Sequence, residues 1–116
     1  MSTFVQGEQR EKTFYVKNRQ TDQIIAITDI TASLYEVKTN REIQRFDADG
    51  INPEPEDLGN GYFKFTFDPD ITRKCPIGVE VWFDIYVGSL QRIFRGRFGT
   101  ATKSPLSSVP QTDPIP

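Results

Sequence analysis

Residues 61–99 read GYFKFTFDPDITRKCPIGVEVWFDIYVGSLQRIFRGRFG, and the alternation in this stretch decides the fold class. Val79, Val81, Phe83, Ile85 and Val87 fall on one face of an extended chain, with Glu80, Trp82, Asp84 and Tyr86 on the other. A two-residue period sustained from Val79 to Val87 marks a half-buried β-strand. Gly88 and Ser89 suit the central positions of a type II′ hairpin loop, because glycine takes the positive φ required at the first of them. That loop predicts a register in which Phe83 faces Phe94, Val79 faces Phe98 and Val81 faces Gly96 on the inner side. Outside, it sets Trp82 against Arg95 as a cation–π pair and Glu80 against Arg97 as an ion pair. Upstream, Phe63, Phe65 and Phe67 point inward from a second strand over 62–67. Asp68 is placed to N-cap a single helical turn with Pro69 at its first position.

Working outward, residues 3–7 predict a short edge strand closed by Gly7, and residues 12–17 a strand with Phe14 and Val16 facing in. A polar turn covers 18–23, a β-branched run 24–30, and a strand 31–37 carries Ala32 and Leu34 in phase. Tyr35 and Val37 fall on the opposite phase, which a β-bulge between Leu34 and Glu36 explains. Residues 42–46 form a short strand. Residues 47–60, with Gly50, Pro53, Pro55 and Gly59, predict a long loop that excludes a central strand. From Lys103 the chain reads KSPLSSVPQTDPIP, four prolines in fourteen residues, an extended tail. About seven to eight short strands separated by turns predict an all-β, Ig-like antiparallel β-sandwich over residues 1–102, with a Pro-rich tail over 103–116. The Cys…Trp…Cys pattern of antibody domains is absent, so the Ig likeness is one of architecture.

Composition narrows the function. The chain has 116 residues, enough for one domain plus a tail, and nine Phe among 36% hydrophobic residues can pack a core without metal or disulfide. A net charge of -2 lacks the basic field that nucleic-acid binding needs. With no histidine and with Cys75 as the sole cysteine, an intrachain disulfide, a thiolate metal cluster and a Ser–His or Cys–His nucleophile are all excluded. Cys75 reads as a small buried hydrophobe. No apolar run approaches the roughly 18 residues of a membrane span, and MSTFVQGEQREKTF lacks the pattern of a secretory signal. Synthesis and folding in cytosol are expected, with no membrane partner. The acidic loop Asp47, Asp49, Glu54, Glu56 and Asp57 misses the Ca²⁺-loop spacing and reads as a solvated surface. Asp68 and Asp70 read as helix-capping groups rather than a hydrolytic pair. No catalytic residue, metal or cofactor is expected.

The candidate binding residues are Trp82, Tyr86 and Tyr62, predicted to share the solvent face of adjacent strands, where exposed rings stack on sugars or anchor a protein. Arg92, Arg95 and Arg97 balance Glu80 and Asp84 on that face, and Arg95 and Arg97 join the candidate set. Pro105 and Pro110 represent the tail, which reaches roughly 40 Å at the polyproline II rise and can lie along a neighbour.

Three segments together resemble the small β-sandwich proteins of tailed bacteriophages related to the N-terminal domain of baseplate upper proteins. QGEQREKTFYVKN (6–18) is similar to the family's opening Gly–acidic turn and alternating strand, and DITASLYEVK (29–38) to its Leu/Ile-Thr-x-Ala strand. The most specific is GYFKFTFDPDIT, then PIG-VEVWFDIYVG, then FRGRF: an alternating strand, a capped turn ending in Thr, a Pro-x-Gly turn and an aromatic-Asp-Ile strand. The likeness covers roughly residues 5–100. It implies a non-enzymatic virion structural protein, a baseplate, tail or fibre-attachment adaptor made in the host cytoplasm. Its expected partners are other phage structural proteins and copies of itself, held through strand edges and the tail. The alternatives are a capsid decoration or head-fibre protein, and a carbohydrate- or receptor-binding module whose Trp82 face takes a host-surface glycan. The chain departs from the baseplate upper proteins in lacking a long C-terminal helical region that trimerises.

Overall fold

The computed structural model of the chain describes residues 3–25, 29–87 and 91–103. These form β1 (Thr3–Val5), β2 (Arg10–Lys17), β3 (Ile24–Ile25), β4 (Ile30–Glu36), β5 (Arg41–Phe46), β6 (Glu56–Gly59), β7 (Tyr62–Phe67), α1 (Pro69–Arg73), β8 (Glu80–Val87) and β9 (Gln91–Thr102). The architecture is all-β: a five-stranded sheet in the order β1-β9-β8-β4-β5 and a four-stranded sheet in the order β3-β2-β7-β6. The tail, with Pro105 and Pro110, lies outside the described residues.

Alternation builds the shared core. Val81, Phe83 and Ile85 of β8 are buried, as are Ala32 and Leu34 of β4 and Phe63, Phe65 and Phe67 of β7. Phe83 sits at the centre, its ring centroid 4.9 Å from Phe65, 5.0 Å from Phe67 and 5.8 Å from Phe46, all three edge-on. Edge-to-face contacts place the positive rim of one ring on the negative face of the next, adding to the gain from burial alone. Asp68 caps α1 as its position suggests, Oδ1 accepting from Ile71 N at 2.9 Å.

Thr72 of α1 ties the helical turn to the start of β2. Its hydroxyl donates to Glu8 O at 2.7 Å and accepts from Gly7 N at 3.0 Å, where Gly7 supplies a φ of 86°. Thr72→Val keeps the shape and strands both backbone groups. A stability loss of about 1–3 kcal/mol in urea unfolding is expected.

The β8–β9 register differs from the expected one. Phe83 pairs with Gly96, Ile85 with Phe94, Val81 with Gly99 and Trp82 with Arg97. The loop residues 88–90 lie outside the described part. The register slips twice, between Ile85 and Tyr86 and between Val81 and Trp82, leaving Ile93 and Phe98 as the extra residues on β9. The first offset is set at the loop, where Val87 pairs with Gln91 and three residues, instead of the expected two, lie between the paired ends; packing supplies the reason for the two slips. A Cβ on Gly96 would lie 2.5 Å from Phe94 Cζ, so the glycine lets the Phe94 ring fold over its own strand. Phe94 then reaches Phe14, centroids 4.9 Å apart, instead of competing with Phe83 for one layer of the core. The second slip drops Phe98 between Phe4 and Phe67, at 4.8 and 4.6 Å.

Other expectations are refined. β4 pairs with β8 without interruption, so Tyr35 faces outward by plain alternation; the irregularity lies against β5, where Ile43 is the extra residue. The run 24–30 is divided, Asp29 taking a φ of 59° and β3 and β4 entering different sheets. Aspartate tolerates that left-handed backbone better than a β-branched residue. Within 47–60, residues Glu56–Gly59 do form a strand, at the edge and after both prolines, where every residue can donate to the ladder.

The edge strand at the N-terminal end exists, but β1 runs parallel to β9, and Phe4 is buried. Its outward side is covered by the chain's own side chains: Val5 N donates to Glu8 Oε1, and Arg10 Nη2 donates to Thr3 O at 2.9 Å. Covering an edge in this way disfavours strand addition.

Candidate interaction surface

The outer face of the five-stranded sheet gathers four of the candidate residues. Trp82 and Tyr86 project from β8, half-buried, and Arg95 and Arg97 from β9, exposed. Tyr62 does not join them. It stands on β7 in the other sheet, where its ring meets Tyr15 at 5.2 Å. The phase of alternation says which residues point outward; it does not say from which of two sheets.

Asp84 organises this face. It points away from the core, yet only 3% of it is exposed. Ser33 on β4 and Arg95 on β9 flank it directly. Oδ1 accepts from Tyr35 Oη at 3.2 Å, and Arg95 straddles the carboxylate, Nε at 3.4 Å from Oδ1 and Nη2 at 3.4 Å from Oδ2. Tyr86 Oη donates to Oδ2 at 3.5 Å, and Arg92 Nη1 stands 3.6 Å from it. A carboxylate taken out of water costs several kcal/mol unless cations and donors surround it, and here two guanidiniums and two phenols do so. Burial, with the Asp84 charge second, raises the Tyr35 phenol above its ordinary pKa of 10.0, so Tyr35 stays a donor across the physiological range.

A second cluster adjoins the first. Glu80 Oε2 accepts from Trp82 Nε1 at 2.7 Å and stands 3.2 Å from Arg97 Nε as an ion pair. The expected Glu80–Arg97 ion pair thus forms, diagonally. The expected stacking of Trp82 on Arg95 gives way because the register sets Arg95 against Asp84. Toward β5 the face sinks into a depression of about 500 Å³ lined by Ser33, Asn40, Glu42, Arg45, Tyr86 and Arg95, among others. Ser33 Oγ donates to Glu42 Oε2 there at 2.8 Å.

Two other carboxylates, Asp49 and Asp70, have structural work. Among the described residues no group of three or more His, Cys, Asp or Glu is arranged to hold a metal. Asp49 Oδ1 accepts from Ile51 N and Asn52 N, both at 2.9 Å, closing a local turn. Those amides hold its carboxyl below the ordinary 3.8. Asp70 pairs with Arg73 at 2.9 Å.

Cys75 is fully buried, and burial pushes its thiol from the ordinary 9.0 up to about 12. The unfolded chain releases this proton first, so the stabilisation is complete below about pH 9 and is lost as pH rises toward 12. Between pH 8 and pH 10.5 the wild type is expected to lose about 2 kcal/mol more stability than Cys75→Ala in parallel urea titrations. Equal losses refute the assignment.

No known protein family, curated protein or solved structure matches the chain.

Sequence reasoning missed three positions. Asp84 was read as one of several outward charges, though its place between Ser33 and Arg95 makes it the hub. Tyr35, its buried partner, was read as a displaced residue. Tyr15 was also passed over, although Phe14 and Val16 facing in require it to face out.

Proposed function

We propose that this chain is a non-enzymatic structural protein of a bacteriophage particle, an Ig-like adaptor at baseplate, tail or fibre attachment. On this reading it holds neighbouring subunits by the outer face of its five-stranded sheet. The observation that carries the reading is the buried Asp84, around which Tyr35, Tyr86, Arg92 and Arg95 are locked together. A surface ordered before contact loses less freedom on binding. Trp, Tyr and Arg, the residue types that dominate interface energetics, are grouped on it. The three motif likenesses across residues 5–100 supply the particle context. Strand addition at β1 is a weaker route, since Glu8 and Arg10 occupy that edge. The Asp84 carboxylate is committed to two cations, which suits a fixed surface better than a proton-transfer group.

The test is quantitative mass spectrometry of gradient-purified particles made by the genome that encodes the chain. A fixed copy number matching a symmetric ring or lattice is expected; absence from the particles refutes the proposal.

A second reading, recognition of a surface saccharide, is favoured by the depression beside Tyr86. Its Ser33, Asn40, Glu42 and Arg45 offer both donors and acceptors to sugar hydroxyls. That reading requires host polysaccharide to change Trp82 fluorescence in a saturable manner.

A further inference from the structure

The four-stranded sheet carries a different kind of surface. Tyr15 of β2 and Tyr62 of β7 are directly paired across the ladder, 46% and 36% exposed, their rings inclined by 45°. Ile24 adds an apolar flank: a Cβ on the neighbouring Gly61 would lie 2.5 Å from its Cγ2, so the glycine admits it. Beside Tyr62 the surface opens into a depression of about 350 Å³ whose wall includes Pro55 and Phe63. Among the described residues the wall also carries the carboxylates of Asp29, Glu54 and Asp57 and no Lys or Arg. This is an inclined aromatic pair at the mouth of an acidic, partly apolar hollow.

A polyproline II segment is the ligand that such a surface fits. Its prolines pack flat on aromatic rings, its backbone has no internal hydrogen bonds, and its carbonyls stay open to phenol donors. Little conformational freedom is left to lose on docking. The chain contains a proline-rich stretch of matching composition, KSPLSSVPQTDPIP from Lys103 to Pro116, whose first residue offers a cation to the acidic wall.

The point of departure selects which copy supplies it. Thr102 pairs with Val5 at the β1 edge, and Arg10 at the start of β2 bonds to Thr3 of the same strand. Tyr15 lies five residues further along β2, roughly 17 Å at the strand rise, and in the other sheet, about 10 Å away. A chain's own segment spends roughly six or seven residues at about 3.1 Å each on that path, so Lys103 and Pro105 cannot reach its own hollow. From a second copy the whole segment can engage.

We propose that residues 103–116 of one copy dock as a polyproline II segment on the Tyr15–Tyr62 face of a second copy. This contact lies on a different sheet from the Asp84 surface and does not depend on the function assigned to that surface.

The experiment is sedimentation velocity of the full chain over a wide concentration range, with and without a synthetic peptide of residues 103–116. Association that rises with concentration is expected, with excess peptide dissolving it. Tyr15→Ala and the double change Pro105→Ser/Pro110→Ser should each raise the concentration needed by at least tenfold, whereas Lys38→Ala, at an exposed turn position away from both surfaces, should leave it unchanged. The proline variant changes no residue of the nine strands and keeps the test valid if Tyr15→Ala folds poorly. A chain that stays monomeric throughout, or that associates equally well with the prolines replaced or with peptide present, overturns the proposal.

Discussion

Phe83→Ala is expected to lower the unfolding free energy by about 3–5 kcal/mol. Phe83 is packed by Phe14, Phe46, Phe65 and Phe67, drawn from both sheets. Removing it therefore opens a cavity between the layers, and the rigid rings around it cannot collapse to fill the space. Phe83→Leu, which refills most of the volume, should recover more than half of the loss. Urea unfolding at neutral pH measures both. A loss below about 1 kcal/mol for the alanine variant would place the ring outside the core.

The second large effect concerns Asp84 and depends on which partner is removed. Arg92→Ala/Arg95→Ala together leave a carboxylate, 4% exposed at its side chain, without its cations. The expected cost is about 3–5 kcal/mol, the range for stranding a buried charge. Asp84→Ala is expected to cost less, about 1–3 kcal/mol. The two arginines are partly exposed and can turn to water, so that the Tyr35 hydroxyl is the main group left without its acceptor. The order of the two losses is the diagnostic. If Asp84→Ala proved the costlier, the carboxylate would be organising the face through contacts other than these ion pairs.

Strand positions were legible in the sequence because a two-residue period is local. Phe63, Phe65 and Phe67, or Val81, Phe83 and Ile85, state their inward face without reference to any other strand. The Asp68–Pro69 cap was legible for the same reason. Register on β9 was not, since it depends on where the rings of Phe94 and Phe98 fit among Phe14, Phe4 and Phe67, partners far away in the chain. The parallel pairing of β1 and the allotment of Tyr62 to the second sheet are likewise decided between distant segments. The candidate surface was half legible. Trp82, Tyr86, Arg95 and Arg97 were placed outward by phase alone. The burial of Asp84 was hidden because its cover arrives from Tyr35 on β4 and from a register that the hairpin loop does not dictate.

The central proposal is that this chain holds neighbouring subunits of a phage particle by contact through the outer face of its five-stranded sheet. Its most direct test is the amount of chain retained in purified phage particles when that face is altered and the core is not. Trp82→Ala/Arg97→Glu removes an aromatic ring and reverses a charge beside Glu80. Circular dichroism and urea unfolding first establish that the variant is folded. Retention at least tenfold below wild type, with the free protein still folded, is the expected result. Retention equal to wild type, or wild-type particles that contain none of the chain, would contradict it.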